Sequence, residues 1–173
     1  MSEATGETGE IDEDAGVETP GDREEMLRAC AALAAAQDGG TLATMHSEDG
    51  TPYVTFVLLH LRENGEVLFG SGASPQHARN LDATPEASVL IDNREVVKAA
   101  PDTFERIVVE GKAEHVGKDD PDYGECIREL RAKSEMAAFF TEQGRMYRLR
   151  PRRIVAMRGF AAERRVVEFD DWR

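Results

Sequence analysis

Cysteine is scarce in this chain of 173 residues: Cys30 and Cys126 stand 96 positions apart, with no CxxC pair. That spacing excludes a disulfide framework and fits a reduced, cytoplasmic protein in which both are small buried hydrophobes. No apolar run approaches the ~18 residues of a membrane span, so no membrane association is expected. Neither the four histidines nor the acids stand at ligand spacing, so no metal site is expected. Ser71 and Ser74 have no nucleophile elbow around them, which removes the usual serine chemistry. The Gly70-Ser71-Gly72 pair of glycines lacks the third glycine and the βαβ setting of a dinucleotide fingerprint.

Positive charge is absent from residues 1–22, which hold eight acidic side chains and neither Lys nor Arg. Removing them from the net charge of -13 leaves the remaining chain only mildly acidic, at -5. No basic stripe is present to neutralise phosphates, so nucleic-acid binding is not expected. The acidic stretch has no basic start and no apolar core, unlike a secretory signal. Its composition predicts a disordered tail over 1–22 followed by one domain over 23–173.

The periodicity then changes along the chain. Arg23 to Gln37 is rich in strong helix formers, with Met26, Leu27, Cys30, Leu33 and Ala34 on one face, Asp22 as N-cap and Gly39-Gly40 as the stop. Thr41–Met45, Tyr53–Leu61 and the strand starting at Val67 read as hairpin-linked strands, with turns at Gly50 and Asn64-Gly65. The nearly all-apolar YVTFVLLHL predicts a strand buried on both faces. A short helix over Gln76–Ala83 follows Pro75, then a strand at Ala87–Asp92 and a polar crossing over 93–103. Arg106–Val116 alternates as a long strand, and Tyr123–Phe140 reads as a second long helix. Met146–Leu149 and Ile154–Met157 read as two strands separated by Pro151, with a last strand near Val166–Phe169. Arg145, Arg148, Arg150, Arg152 and Arg153 read as one face of an edge strand, solvated or, as the alternative, an anion site. Hairpins with interposed helices imply an α+β fold: a split β-barrel of six or seven mainly antiparallel strands with flanking helices.

Chemistry concentrates between residues 50 and 92. The loop from Gly70 to Ser74 runs into a helix start bearing Gln76, His77 and Arg79. Helix N–H groups, a serine hydroxyl and cationic side chains together make a phosphate cradle. The alternative is a plain connection with a surface charge at Arg79.

The stretches TLAT, PYVTFVLLHL and NGEVLFGSGASPQHARNLDATPEASVLID resemble the FMN-binding split-barrel family that includes pyridoxamine-phosphate oxidase. Arg106-Ile-Val-Val-Glu-Gly111 resembles that family's later strand. Met146-Tyr-Arg-Leu-Arg-Pro151 with Gly159-Phe160 is similar to its haem-utilisation subgroup. The resemblance covers roughly residues 26–168. It implies a cytoplasmic homodimer holding FMN, with oxidoreductase activity on an unidentified small molecule. It assigns the flavin edge to Thr55, Phe56, Val57 and Leu58, and the phosphate to Gly70, Ser71, Gln76, His77 and Arg79. His60 and Arg106 take the family's polar positions near the flavin.

The departures are as informative. Thr55, His60 and His77 stand where the pyridoxamine-phosphate oxidases carry cations, and the chain ends Glu168-Phe-Asp-Asp-Trp-Arg173 rather than in an arginine-rich substrate motif. Pyridoxamine-phosphate oxidation itself is therefore not expected. The last histidine is His115, so the axial ligand of the haem-utilisation relatives has no counterpart. The competing expectation is a non-catalytic binder of flavin, deazaflavin or haem, or a haem-degrading oxygenase, on the same fold. No residue is singled out as a catalytic acid or base.

Overall fold

The computed structural model describes residues 20–72, 74–159 and 164–170. Seven strands form one antiparallel sheet in the order β3-β2-β1-β4-β5-β6-β7, and a further β3–β6 pairing closes six of them into a barrel. The elements are α1 (Pro20–Ala36), β1 (Gly39–Met45), β2 (Pro52–Leu61), β3 (Val67–Ser71), α2 (Gln76–Ala83), β4 (Glu86–Asp92), β5 (Glu105–Val116), α3 (Tyr123–Lys133), α4 (Glu135–Gln143), β6 (Arg145–Arg158) and β7 (Arg164–Glu168). The α+β split barrel expected from the hairpin pattern is the observed architecture. Both expected hairpin turns place a glycine at positive φ, Gly50 at 69° and Gly65 at 89°, a conformation that side-chain-bearing residues avoid.

Alternate residues of the strands point inward and make the main core, among them Leu42, Leu59, Val67, Phe69, Val89, Ile91, Ile107, Val109, Tyr147 and Leu149. Met26, Leu27, Cys30 and Ala34 of α1 join this core, and so do Ala78 and Leu81 of α2. The two helices seal opposite ends. α1 lies against Glu105–Ile107 and Ala156–Arg158, whereas α2 reaches the far end of β1 through Asn80 and Thr44. A second, smaller core lies outside the barrel, where Cys126 and Leu130 of α3 and Ala137 of α4 cover Leu68, Val116 and Met146. Both cysteines are buried, and burial pushes the Cys30 thiol up to about 11. Among the described residues no helix is long and apolar enough to cross a membrane.

Several local expectations are corrected. α1 starts at Pro20, so Asp22 sits in its first turn rather than at the N-cap; proline is well tolerated there because its missing N–H would have no helical partner. The long helix over 123–140 is two helices. Ser134 adopts an extended conformation and its hydroxyl caps α4 by accepting from the Ala137 N–H at 3.3 Å, an alternative that serine offers a helical backbone. The 93–103 crossing contains short 3-10 turns at Arg94–Val96 and Pro101–Thr103. β6 runs unbroken through Pro151 because a register shift between Glu110 and Gly111 of β5 leaves Arg152 as an extra residue, and bulges accommodate proline. β6 is also no edge strand. Its arginines pair with Asp82, Asp122, Glu114 and Glu110, and Arg148 is buried. Finally, β2 is not buried on both faces: Val57, Leu59 and Leu61 face the core, Leu58 and His60 on the other side are half-buried, and Val54 and Phe56 are exposed.

The β5–β6 bulge leaves little room at Gly111, where a Cβ would collide with the Arg150 carbonyl oxygen. Gly111→Ala should lower unfolding free energy in urea by about 2–3 kcal/mol. Gly117→Ala, in open space, should change it by less than about 0.5 kcal/mol.

Candidate functional site

Strand β3 delivers the chain to Gly70 and Ser71, and Gly72 and Ser74 carry it over to α2. Pro75 holds the cap position in an extended conformation, φ -71° and ψ 164°, and no described side chain caps the helix. The first N–H groups of α2 have no partner within the helix, so this terminus offers donors and a partial positive charge to an external anion. Arg79 folds back toward it, donating to the Ser74 carbonyl oxygen at 2.7 Å and to Gln76 Oε1.

Polar contacts with the barrel mouth fix where this helix start lies. Gln76 Nε2 donates to Asn80 Oδ1 at 2.8 Å and to His46 Nδ1 at 3.2 Å. Asn80 is fully buried, donates to Thr44 Oγ1 at 2.9 Å and accepts from the Ser47 N–H at 3.0 Å. Arg145, first residue of β6, grips Asp82 at 2.6 Å. A small-residue seam lets α4 lie directly on the loop: Gly70 abuts Thr141, and Gly144 abuts the Ser71 carbonyl.

His77 and Ser71 point into the protein rather than out of it. Ser71 is buried and its hydroxyl donates to the Gly72 carbonyl at 3.1 Å. His77 is 8% exposed, and its Nε2 is buried with no hydrogen-bond partner among the described residues. A buried polar atom without a partner costs about 1–3 kcal/mol, which a bound acceptor would relieve. Burial alone lowers the His77 pKa, holding the imidazole neutral near pH 7.

The remaining expected site residues are spread over the barrel. Thr55 lies opposite Leu42 on β2, Phe56 faces outward, Val57 is in the core, and Leu58 packs under α3 and α4. His60 lies apart from the α2 terminus, in a concavity of about 620 Å³ between α1 and α3 that Arg62 and Glu129 also line. Its Nε2 is 3.9 Å from Glu129, and burial outweighs that carboxylate in lowering its pKa. Arg106 borders the α1 end instead, with Nε 3.0 Å from Met157 Sδ. The structure thus sets Gly70, Ser71, Gln76, His77 and Arg79 along one strand–loop–helix segment, with Ser71 and His77 buried and Arg79 folded back on Ser74, and leaves His60 and Arg106 elsewhere. Sequence reasoning missed His46, Asn80, Asp82 with Arg145, and Thr141. Only Asn80 carried a local signal, a buried polar residue on the apolar side of a short helix.

The family model of pyridoxamine 5'-phosphate oxidase matches residues 26–160. The chain belongs to the pyridoxamine 5'-phosphate oxidase family. A search of curated proteins returns no match. Solved structures share the fold at low identity. One is a heme binding protein from Mycobacterium smegmatis, at 22% identity and TM-score 0.70, covering 84% of this chain and 57% of that one. HutZ, the heme storage protein from Vibrio cholerae, shows 20% identity and TM-score 0.58, covering 72% of this chain and 88% of its own. An FAD-binding protein from Mesorhizobium loti has 16% identity and TM-score 0.58, covering 75% and 91% respectively. This member of the family therefore has flavin-binding and haem-binding proteins among its structural relatives.

Two measurements check the α2 end. Asn80→Ala strands the Ser47 N–H and the Thr44 hydroxyl, and should cost about 2–3 kcal/mol of unfolding free energy. The second concerns protons. Because burial lowers the His77 and His60 pKa values, the unfolded chain binds more protons as pH falls through the ordinary histidine range near 6.5. Stability is full above that range and declines below it. His77→Gln should flatten the fall in urea midpoint between about pH 7.5 and about pH 5.5, leaving the part due to His60; an unchanged slope would clear His77.

Proposed function

We propose that this chain is an FMN-binding flavoprotein, holding the cofactor as a homodimer and acting as an oxidoreductase on a small molecule. The observation that carries the reading is the α2 terminus. An uncapped helix start and the Arg79 guanidinium follow the Gly70–Ser74 loop, and the inward-facing His77 Nε2 of the same first turn has no hydrogen-bond partner among the described residues. Those groups suit a phosphate monoester, which brings charge and several acceptor oxygens to one place. Ser71, Gln76, His77 and Arg79 would hold the phosphate, with Gly70 giving close approach and Thr55–Leu58 meeting the ring edge. The flavin supplies the electron transfer when bound, while the chain binds and orients it. Replacement of fixed cations by Thr55 and His77 leaves Arg79 and the helix terminus to supply the positive charge. The bare outer half of β2, with Val54 and Phe56 exposed, supports a second copy covering the site.

Haem is the second reading, because two structural relatives are described as heme binding and heme storage proteins and His60 lines a concavity large enough for a sizeable ligand. Deazaflavin remains a further ligand for the α2 end, and binding without turnover would make the chain a carrier rather than an enzyme.

Titrating the cofactor-stripped chain with FMN while following flavin fluorescence tests the reading. Saturable quenching at one FMN per subunit of a dimer is expected, with Arg79→Ala and Ser71→Ala each weakening binding by about tenfold or more. No quenching, with a Soret band on adding hemin that His60→Ala removes, would transfer the assignment to haem.

A further inference from the structure

The groove between α1 and the strand ends at Glu105–Ile107 and Ala156–Arg158 carries charge opposite to that of the molecule. Taking the seven acidic side chains of residues 1–19 from the net charge of -13 leaves -6 for residues 20–173. Yet Arg106, Arg158 and Arg165 edge the groove against one carboxylate, Glu105. Arg158 Nε reaches Glu105 only at 4.0 Å, with both side chains exposed, so that pair is weak. Arg106 Nε rests on the Met157 sulfur, and Arg165 donates to the Asp22 carbonyl oxygen at 3.3 Å. Among the described residues neither meets a carboxylate, whereas Arg148, Arg150, Arg152 and Arg153 of β6 all do.

Between the arginines the floor is apolar, with Met26, Ala29 and Leu33 of α1 contributing to it, and the groove holds about 200 Å³. Pockets for cofactor-sized ligands start at about 300 Å³. The space suits one aliphatic side chain flanked by anions better than it suits a ring system.

Residues 1–19 contain that combination. Glu10-Ile11-Asp12-Glu13-Asp14 sets four carboxylates around one branched aliphatic side chain, with no Lys or Arg in the whole stretch. The covalent connection brings it to the right place. Asp22, which accepts the Arg165 hydrogen bond, lies in the first turn of α1, and Arg23 donates to the Glu168 carbonyl oxygen at 2.6 Å. The chain therefore enters α1 at the rim of the groove. From Pro20 to Leu33 the helix rises about 20 Å, and nine extended residues from Pro20 back to Ile11 span up to about 30 Å. The acidic run thus reaches the groove with slack. Tethering at this distance supplies a millimolar effective concentration, enough for pairs that are individually weak.

We infer that residues 10–14 run back along α1 and occupy this groove, with their carboxylates on Arg106, Arg158 and Arg165 and Ile11 on the apolar floor. The inference is independent of the cofactor reading, because α1 and the α2 terminus lie at opposite ends of the barrel.

Backbone amide relaxation by NMR in the full chain tests it. In about 0.02 M NaCl residues 10–14 should show order parameters above about 0.6, and in about 1 M NaCl, where the Debye length is about 3 Å, values well below that. Arg158→Glu combined with Arg165→Glu should give the high-salt values at both concentrations. Asp12→Asn with Glu13→Gln and Asp14→Asn should do the same while leaving the folded domain untouched. Adding Asp12→Lys and Asp14→Lys to the arginine pair should restore order, which a misfolded domain would not allow. Residues 10–14 that lack order in the wild type, or keep it through both sets of substitutions, overturn the proposal. So does a labelled Arg158→Glu/Arg165→Glu chain whose residues 10–14 become ordered on mixing with unlabelled wild type, since the run then sits on a second copy.

Discussion

The β3–β6 ladder is the constraint on which the rest of the molecule depends. Five residue pairs, from Val67 opposite Leu149 to Ser71 opposite Arg145, close six strands of the seven-stranded sheet into a barrel. Closure removes two edges that would otherwise be open to pairing with other chains. It also divides the labour of β6, whose 14 residues pair with β5 along the whole length, with β3 in the first half and with β7 in the second. The candidate site inherits its position from the same ladder. Ser71 and Arg145 are its last pair, and Arg145 takes hold of Asp82 on α2. The helix terminus is thereby tied to both sides of the closure.

A charge network backs the ladder from outside. Arg62 donates to Glu129 at 2.7 Å and to Glu66 at 2.9 Å, and its third nitrogen lies 3.3 Å from Cys126 Sγ. Arg148 bridges Glu66, Glu114 and Asp122. Burial works against both guanidinium charges, and the carboxylates hold them on. Removing any one partner would leave a poorly solvated charge behind, a larger penalty than a surface ion pair carries. These contacts join the turn between β2 and β3 to β5, β6 and α3.

Much of this was legible in the residues, and the division follows the range of the forces involved. Strand alternation, the Asn64-Gly65 turn, the Pro75 helix start and the small-residue loop are local, and each stands where the sequence pattern put it. What escaped depended on distant partners. Nothing near Pro151 announces that β6 continues, since the register shift that absorbs it is made with β5, some forty residues earlier. The apolar run of β2 signals burial, but on the side away from the core Val54 and Phe56 are exposed. At the site, Gln76, His77 and Arg79 were readable as a helix start, whereas their companions His46, Thr44 and Arg145 arrive by topology. His60 and Arg106 came with the family resemblance, and the fold sets them at other parts of the barrel.

The two buried sulfurs have a consequence for the chemical endurance of the molecule. Oxidants attack the thiolate, whose population falls tenfold for each unit by which a pKa rises. Cys30 sits on the buried face of α1 with its pKa near 11, and Cys126 on the buried face of α3 with burial outweighing the pull of Arg62. Peroxide formed in or around the folded chain meets two sulfurs that are both shielded and protonated. Neither is poised to enter the ladder from sulfenic to sulfonic acid, so ageing by oxidation falls first on exposed thioethers such as Met136.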